Sequence, residues 1–165
     1  MAELISFVEA NPLGFALLML ISPIVHELGH IIALYVCGQK LLAVRFSFKS
    51  LIPEVVIDLR TLPAIKLFII SSAGMVASLA WFWLLAPLLL EMPISAKIFT
   101  SHISLINIIP LSKKTSPPKK RIVLWQGRGV EGIIAELDAI AMNVAVTDGT
   151  YMLKSLRSSR WQQTQ

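Results

Sequence analysis

Two long apolar runs constrain the fold of this 165-residue chain more than any other feature of its sequence. Leu67 to Leu90 contains no charged side chain, and the equally long run Leu13 to Val36 is interrupted by one short polar cluster. A helix of this length reaches about 36 Å, which is enough to cross the hydrocarbon core of a bilayer. A mean hydropathy of +0.71 and 15% charged residues are also typical of membrane proteins. We therefore expect one compact integral membrane unit without a separate soluble domain.

A third candidate span, Ile94 to Leu111, is shorter, and Lys97 interrupts it, so that only Ile98 to Leu111 is strictly uncharged. With this segment included, the expected fold class is an all-α membrane protein with a three-helix transmembrane core. Residues 1–165 are expected to form a single domain. The predicted spans are about 13–36, 64–90 and 94–111.

Two regions outside the spans have distinct patterns. Within residues 41–62, the stretch Val44 to Lys49 alternates apolar and polar side chains and Val55 to Arg60 does so more loosely. Around Pro53 this pattern predicts a short β-hairpin on the membrane surface. The hairpin is either a plain connector or an edge that pairs with an extended substrate. Residues 112–147 combine a basic stretch with an amphipathic helix and are predicted to form a cytoplasmic insertion, followed by a C-terminal helix at 149–160. The insertion is either a solvated loop whose helix rests on anionic headgroups or a lid that controls substrate entry.

The distribution of charge orients the predicted spans. Glu3 and Glu9 precede the first span, whereas Lys40, Arg45 and Lys49 follow it. The positive-inside rule therefore places the N-terminus outside and the basic insertion in the cytoplasm of a multi-pass cell-membrane protein. No basic residue precedes the first span, so we expect this segment to be retained rather than cleaved as a signal peptide. The net charge of +5 is explained by this topology, so the expected partner is the lipid bilayer and not nucleic acid.

The polar cluster inside the first run is the pentad His26-Glu27-Leu28-Gly29-His30. Two histidines four residues apart lie on one face of a helix and can bind the same zinc ion, and the glutamate between them is placed to take a proton from a zinc-bound water. Three ionisable side chains are costly in hydrocarbon and are usually retained for a function. The pentad therefore predicts a zinc site with His26 and His30 as ligands and Glu27 as general base.

A catalytic zinc usually has three protein ligands, so a third ligand must lie outside the pentad. Asp58 belongs to the predicted hairpin, and Asp138 projects from the polar face of the amphipathic helix. Asp148 precedes a helical pattern and is also explained as a simple N-cap, while His102 is the remaining histidine. Residue types and spacing alone leave this choice open.

Three motifs in order resemble those of the site-2 protease family of intramembrane zinc metalloproteases. The first is the His-Glu-x-x-His pentad, and the second is a Gly-x-x-x-Ser element, Gly74 to Ser78, in the next span. The third is Asn-x-x-Pro followed by Asp-Gly, matched by Asn107 to Pro110 and by Asp148-Gly149. The chain departs from the family because the long segment Leu111 to Thr147 separates the two pieces of the third motif.

The resemblance implies a function and a set of site residues. The function is hydrolysis of peptide bonds in membrane-spanning protein substrates with one zinc ion as cofactor. The alternative is a non-proteolytic zinc-binding homologue that binds partner helices, and a soluble zinc protease is disfavoured by the long uncharged run. The implied residues are Glu27 as catalytic base, His26, His30 and Asp148 as zinc ligands, Asn107 and Pro110 as substrate-binding residues, and Gly74 and Ser78 as helix-packing residues near the site.

Overall fold

The structure of the chain is a computed structural model that describes residues 2–47, 52–58, 62–105, 109, 112–113, 121–141, 145–146 and 148–162. The described part is mainly helical and contains two small sheets. In chain order, the elements are α1 (Ala2–Ala10), α2 (Pro12–Val36), β1 (Ala43–Ser47), β2 (Ile52–Val56), α3 (Ala64–Ala80), a π-helical segment (Trp81–Leu85), α4 (Ala86–Leu89), α5 (Ile94–Leu105), β3 (Ser112–Lys113), β4 (Arg121–Gln126), α6 (Glu131–Ala141), β5 (Ala145–Val146) and α7 (Asp148–Gln162).

Two helices are long and apolar enough to cross a membrane. One is α2, with 25 residues, and the other is the continuous helix Ala64–Leu89, with 26 residues, which comprises α3, the π-helical segment and α4. Both coincide with predicted spans. One face of α2 exposes a series of apolar side chains at helical spacing, as expected for a surface that contacts lipid: Leu13, Leu17, Leu20, Ile24, Leu28, Ile32 and Tyr35.

The third predicted span is represented in the described residues by α5, which ends at Leu105, and most of the rest of this span lies outside the described residues. This helix has 12 residues and is therefore about 18 Å long, whereas a bilayer core is about 30 Å thick. Within the described ranges, α5 does not qualify as a membrane span. The three-helix membrane core is thus observed only as two long helices with a shorter helix beside them.

The end of α2 is fixed by a glycine cap. Gly38 adopts a positive φ of 65°, and its amide donates to the Tyr35 carbonyl while the amide of Gln39 donates to the Leu34 carbonyl. This pair of bonds is the Schellman arrangement, which satisfies the last carbonyls of a helix. The ammonium of Lys66 also donates to the Cys37 carbonyl at 2.8 Å. The chain therefore leaves α2 at a defined point and enters the sheet a few residues later.

The predicted hairpin is present, but it is part of a larger sheet. β1 pairs with β2 in antiparallel register, and β4 pairs with the other side of β1, so the strand order is β2-β1-β4. Pro53 lies inside β2 opposite Phe46 rather than at the turn, which lies outside the described residues. β4 belongs to the predicted insertion, where the sequence predicted a loop, so the insertion is anchored to the hairpin by backbone hydrogen bonds.

Apolar packing holds the helices together at one end of the molecule. Side chains of α1, α2, α4 and the π-helical segment form a core whose most buried members include Leu4, Phe7, Leu18, Phe82 and Ala86. The helix α1 extends the bundle at the N-terminus and was not predicted. At the opposite end of the chain, α7 packs against α3. This contact brings the first residue of α7, Asp148, into the space between α2 and α3.

Candidate metal centre

The His-Glu-x-x-His pentad faces α3 because the two helices approach closely at Gly29. A Cβ atom added at Gly29 would lie 2.5 Å from the Ala73 carbonyl oxygen and 2.6 Å from the Cβ of Ala77. Ordinary van der Waals contact needs at least 3.4 Å, so only glycine fits at this position. The close approach buries His26 and His30 at the helix interface.

Three side chains converge at this interface. Nε2 of His26 lies 3.0 Å from an Asp148 carboxylate oxygen and 3.2 Å from Nε2 of His30, and the third side of this triangle is 3.4 Å. Ligand atoms of a tetrahedral zinc ion at 2.0–2.1 Å are about 3.3 Å apart, so a triangle of this size fits one zinc ion. His26, His30 and Asp148 therefore form a group that could hold a metal ion, and the same atoms are close enough for ion pairs between imidazole and carboxylate.

The other nitrogen of each imidazole is held by α3. Nδ1 of His30 donates to the Ile70 carbonyl oxygen at 2.7 Å, and a carbonyl can only accept, so the proton of neutral His30 resides on Nδ1. Its Nε2 then directs a lone pair toward the other two side chains. Nδ1 of His26 lies 3.2 Å from the Ser78 hydroxyl oxygen. Partners of this kind fix the orientation and tautomer of histidines that bind metals.

Gly74 supplies the space in which the two rings sit. A Cβ atom at this position would collide with Nε2 of His30 and would lie 2.6 Å from Nε2 of His26. The Gly-x-x-x-Ser element therefore has two separate roles in the structure. Gly74 leaves room for the two ring nitrogens that face Asp148, while Ser78 contacts the far nitrogen of His26.

Asp148 supplies the negative charge of the cluster. Burial of its carboxyl group disfavours ionisation, but hydrogen bonds to His26 and His30 outweigh burial and lower the pKa of Asp148 to about 2. The residue is thus a carboxylate at neutral pH, as a metal ligand must be. Because Asp148 is the first residue of α7, it also lies where the positive end of the helix dipole favours a negative charge.

Glu27 is held by the sheet rather than by a helix. Its carboxylate accepts a hydrogen bond of 3.1 Å from the backbone amide of Val55 in β2. The adjacent carbonyl, that of Val56, points the other way and accepts from Leu42 at the start of β1. Among the described strands, Val55 therefore presents its amide at the edge of the sheet that lies away from β1, and that edge contacts Glu27.

The remaining predicted site residues have different outcomes. Asn107 and Pro110 lie outside the described residues. His102 is exposed on α5, where its Nδ1 contacts the Ile98 carbonyl, and neither His102 nor Asp58 belongs to the group that could hold a metal. The Ile70 carbonyl was not predicted, because a main-chain group has no signature in the sequence.

Comparison of the chain with protein-family models, with curated proteins and with solved structures finds no match. The resemblance to site-2 proteases therefore stays a prediction based on motifs. The chemistry of the site depends on the pentad and on the positions of its side chains.

Proposed function

We propose that the protein is an intramembrane zinc metalloprotease of the site-2 protease type that hydrolyses membrane-spanning protein substrates. The observation that carries this proposal is the convergence of His26, His30 and Asp148 beside Glu27. Glu27 and both histidines lie on an apolar helix that is long enough to cross a membrane. Two neutral imidazoles and one carboxylate form a three-ligand set that suits a catalytic zinc, because one coordination position remains for water or substrate.

The donor set supports zinc as the cofactor. His26, His30 and Asp148 would hold the ion, with Ser78 and the Ile70 carbonyl keeping the two imidazoles in the required orientation. Bound zinc supplies Lewis acidity, which polarises a carbonyl and activates water at neutral pH. Glu27 accepts the proton of the attacking water and delivers it to the amine nitrogen that leaves when the peptide bond breaks.

The free edge of β2 supports a peptide substrate in extended form. The sheet presents this edge beside Glu27, and β-strand addition to an exposed edge is a common mode of peptide recognition. A transmembrane helix hides its backbone amides in internal hydrogen bonds, so a substrate must unwind locally before cleavage. The Val55 amide is used by Glu27, so β2 would compensate the unwound segment mainly through carbonyl groups at this edge, which accept hydrogen bonds from its amides.

The proposed topology follows the positive-inside rule. The N-terminus lies outside, α2 crosses the membrane towards the cytoplasm, and the helix Ala64–Leu89 returns. We propose that α5 is the third, partly inserted segment of the core and that the insertion lies on the cytoplasmic side. Glu27 is nine residues before the end of α2 at Val36, and therefore about 14 Å from the cytoplasmic end of that helix. Water then has a short path to the site.

The decisive experiment compares wild-type protein with Glu27→Gln in proteoliposomes that contain a model transmembrane substrate, with zinc measured in both. We expect cleavage by the wild type alone and one bound zinc in each protein. Equal zinc without cleavage of any substrate in a panel would favour the non-proteolytic homologue. Absence of zinc from purified wild-type protein, after addition of the metal, would overturn the proposal.

A further inference from the structure

The amphipathic helix of the insertion has little apolar surface to offer to a membrane. Ile134 of α6 is buried against Leu42 and Ala43 of the sheet, and Val130 and Leu137 pack around the same cluster. Part of the apolar face of α6 is thus used inside the protein, although Ile133 is 38% exposed. Another element of the insertion exposes more apolar surface than the described part of α6.

The strand β4 is that element, because it exposes four consecutive apolar side chains. The exposed fractions are 44% for Ile122, 48% for Val123, 60% for Leu124 and 48% for Trp125. Leu124 has no partner in the register with β1 and forms a bulge between Val123 and Trp125. Contiguous apolar exposure on an edge strand normally favours aggregation and is rare in soluble proteins unless the surface has a partner.

The position of the sheet indicates where β4 lies relative to a bilayer. The edge strand β2 contacts Glu27, which is about 14 Å inside the end of α2. β4 lies two strand spacings further from α2, about 10 Å across the sheet. The contact with Glu27 thus ties the sheet to the C-terminal half of α2. Backbone groups at a strand edge are costly in hydrocarbon unless they are paired, so we expect the backbone of β4 at headgroup level rather than among acyl chains.

The charges next to β4 match an anionic lipid surface. Residues 113–128 contain six basic and no acidic residues, whereas the whole chain has a net charge of only +5. Arg121 begins the strand, and exposed Arg128 follows it. Basic side chains that flank apolar and aromatic residues are the usual composition of segments that bind anionic membrane surfaces.

We propose that β4 docks on the headgroup layer of an anionic leaflet, with Ile122 to Trp125 among the upper acyl chains and the neighbouring basic residues against lipid phosphates. The sheet then has one edge in contact with lipid and the other in contact with Glu27. This inference rests on the insertion of α2 into a membrane but does not depend on proteolysis. The lipid surface, rather than a second copy of the chain, is favoured because of the excess positive charge.

Site-directed spin labelling of the full chain in vesicles tests this inference. Labels are introduced by Leu124→Cys or Ala135→Cys in a Cys37→Ser background, which removes the one native cysteine. Ala135 is an exposed position on α6 and serves as the matched control. Accessibility to oxygen and to a water-soluble nickel chelate is measured in phosphatidylcholine vesicles with and without phosphatidylglycerol. A third label, Leu20→Cys, reports insertion of α2, because Leu20 is exposed on its lipid-facing side.

We expect the ratio of oxygen to nickel accessibility to be several-fold higher at position 124 than at position 135 in vesicles with phosphatidylglycerol. The difference should decrease in pure phosphatidylcholine, at high salt, or with Arg121→Gln and Arg128→Gln. Nickel-dominated accessibility at position 124 in both vesicles, with oxygen dominating at position 20, would overturn the inference. Dipolar broadening at position 124 that disappears on dilution with unlabelled protein would overturn it in favour of a second copy. Nickel-dominated accessibility at position 20 would instead refute the insertion on which it rests.

Discussion

At the scale of single residues, the groups that hold the imidazoles are as important as the ligands. Ser78 contacts Nδ1 of His26, so Ser78→Ala removes the partner that orients this ring. Loss of such partners typically costs about 10- to 100-fold in metal affinity, and we expect a decrease of that size. Zinc affinity measured by competition with a chelating dye checks the prediction. Ser72→Ala is the matched control, because in the described part of the chain the Ser72 hydroxyl donates to the Ile69 carbonyl of its own helix, and the zinc affinity of this variant should equal that of the wild type.

The close contact of Gly74 with both histidines predicts that no larger residue is compatible with metal binding. In Gly74→Ala, the new methyl group would overlap Nε2 of both histidines, so the two rings cannot keep their positions. We expect bound zinc to decrease from about one ion per chain to almost none, measured by elemental analysis of purified protein. Gly132→Ala is the control, since nothing lies within 4 Å of the added carbon. Full zinc occupancy in Gly74→Ala would mean that the rings do not bind metal in the observed arrangement.

The sequence predicted the histidines and the glutamate because they lie within one helical turn, where spacing determines the face. It could not determine Asp148 by the same argument, since Asp148 is remote from His30 along the chain and reaches the site only through the packing of α7 on α3. Family resemblance suggested this aspartate, and the structure places it beside both rings. Ser78 was predicted as a packing residue, whereas its contact with His26 requires knowledge of how the two helices are rotated.

At the scale of elements, the hydrogen bond from Val55 of β2 to Glu27 predicts that the sheet affects the proposed catalytic activity. Val55→Pro removes the amide hydrogen that Val55 donates to Glu27. The hydrogen bonds between β1 and β2 are kept, because this amide points away from β1. Proline is tolerated at strand edges, and Pro53 already occupies this strand. A hydrogen bond to a charged group is worth about 1.5–3 kcal/mol, so we expect kcat to fall by about 10- to 100-fold with zinc content unchanged.

The control for this experiment is Val55→Ala, which shortens the side chain but keeps the amide. Its kcat should stay near that of the wild type, and KM should change little in either variant if the amide acts through Glu27. Equal loss of activity in Val55→Ala and Val55→Pro would show that the side chain of Val55, and not its amide, is required.

The sequence predicted the helices whose existence follows from the length and composition of one segment. It did not predict a strand whose partner lies far away in the chain. The two long helices follow directly from the two long apolar runs of the sequence. β4 was missed because Ile122 to Trp125 is a short apolar run, which is compatible with a strand or with a buried helix segment. Its partner β1 lies far earlier in the chain, with α3, α4 and α5 between them, so no local pattern could have paired the two strands. The described part of the third predicted span is the helix α5, and most of residues 106–111 lie outside the described residues.

At the scale of the whole molecule, the candidate metal centre joins parts of the chain that are far apart in the sequence. Two of the candidate ligands lie on α2 and the third begins α7, which follows the insertion and packs on α3 with Gly149 and Ser155 buried. α7 is also polar compared with the helices beside it. Zinc is therefore expected to stabilise the docking of α7 more than the folding of α2 or α3, which are held by their own apolar contacts.

Removal of zinc tests this connection. Treatment with a membrane-permeable chelator should increase amide hydrogen exchange in α7 while the amides of α2 and of the helix Ala64–Leu89 stay protected. At a zinc concentration about 1,000 times the Kd, bound metal contributes about 4 kcal/mol, so exchange in α7 should accelerate by up to about 1,000-fold. In Asp148→Ala, the amides of α7 should exchange rapidly with or without chelator, because α7 then contributes no ligand to the metal. Glu27→Gln keeps all three ligands and should respond like the wild type. If the chelator left exchange in α7 unchanged in the wild type, α7 would be held by packing alone, and Asp148 would not be a ligand that secures it.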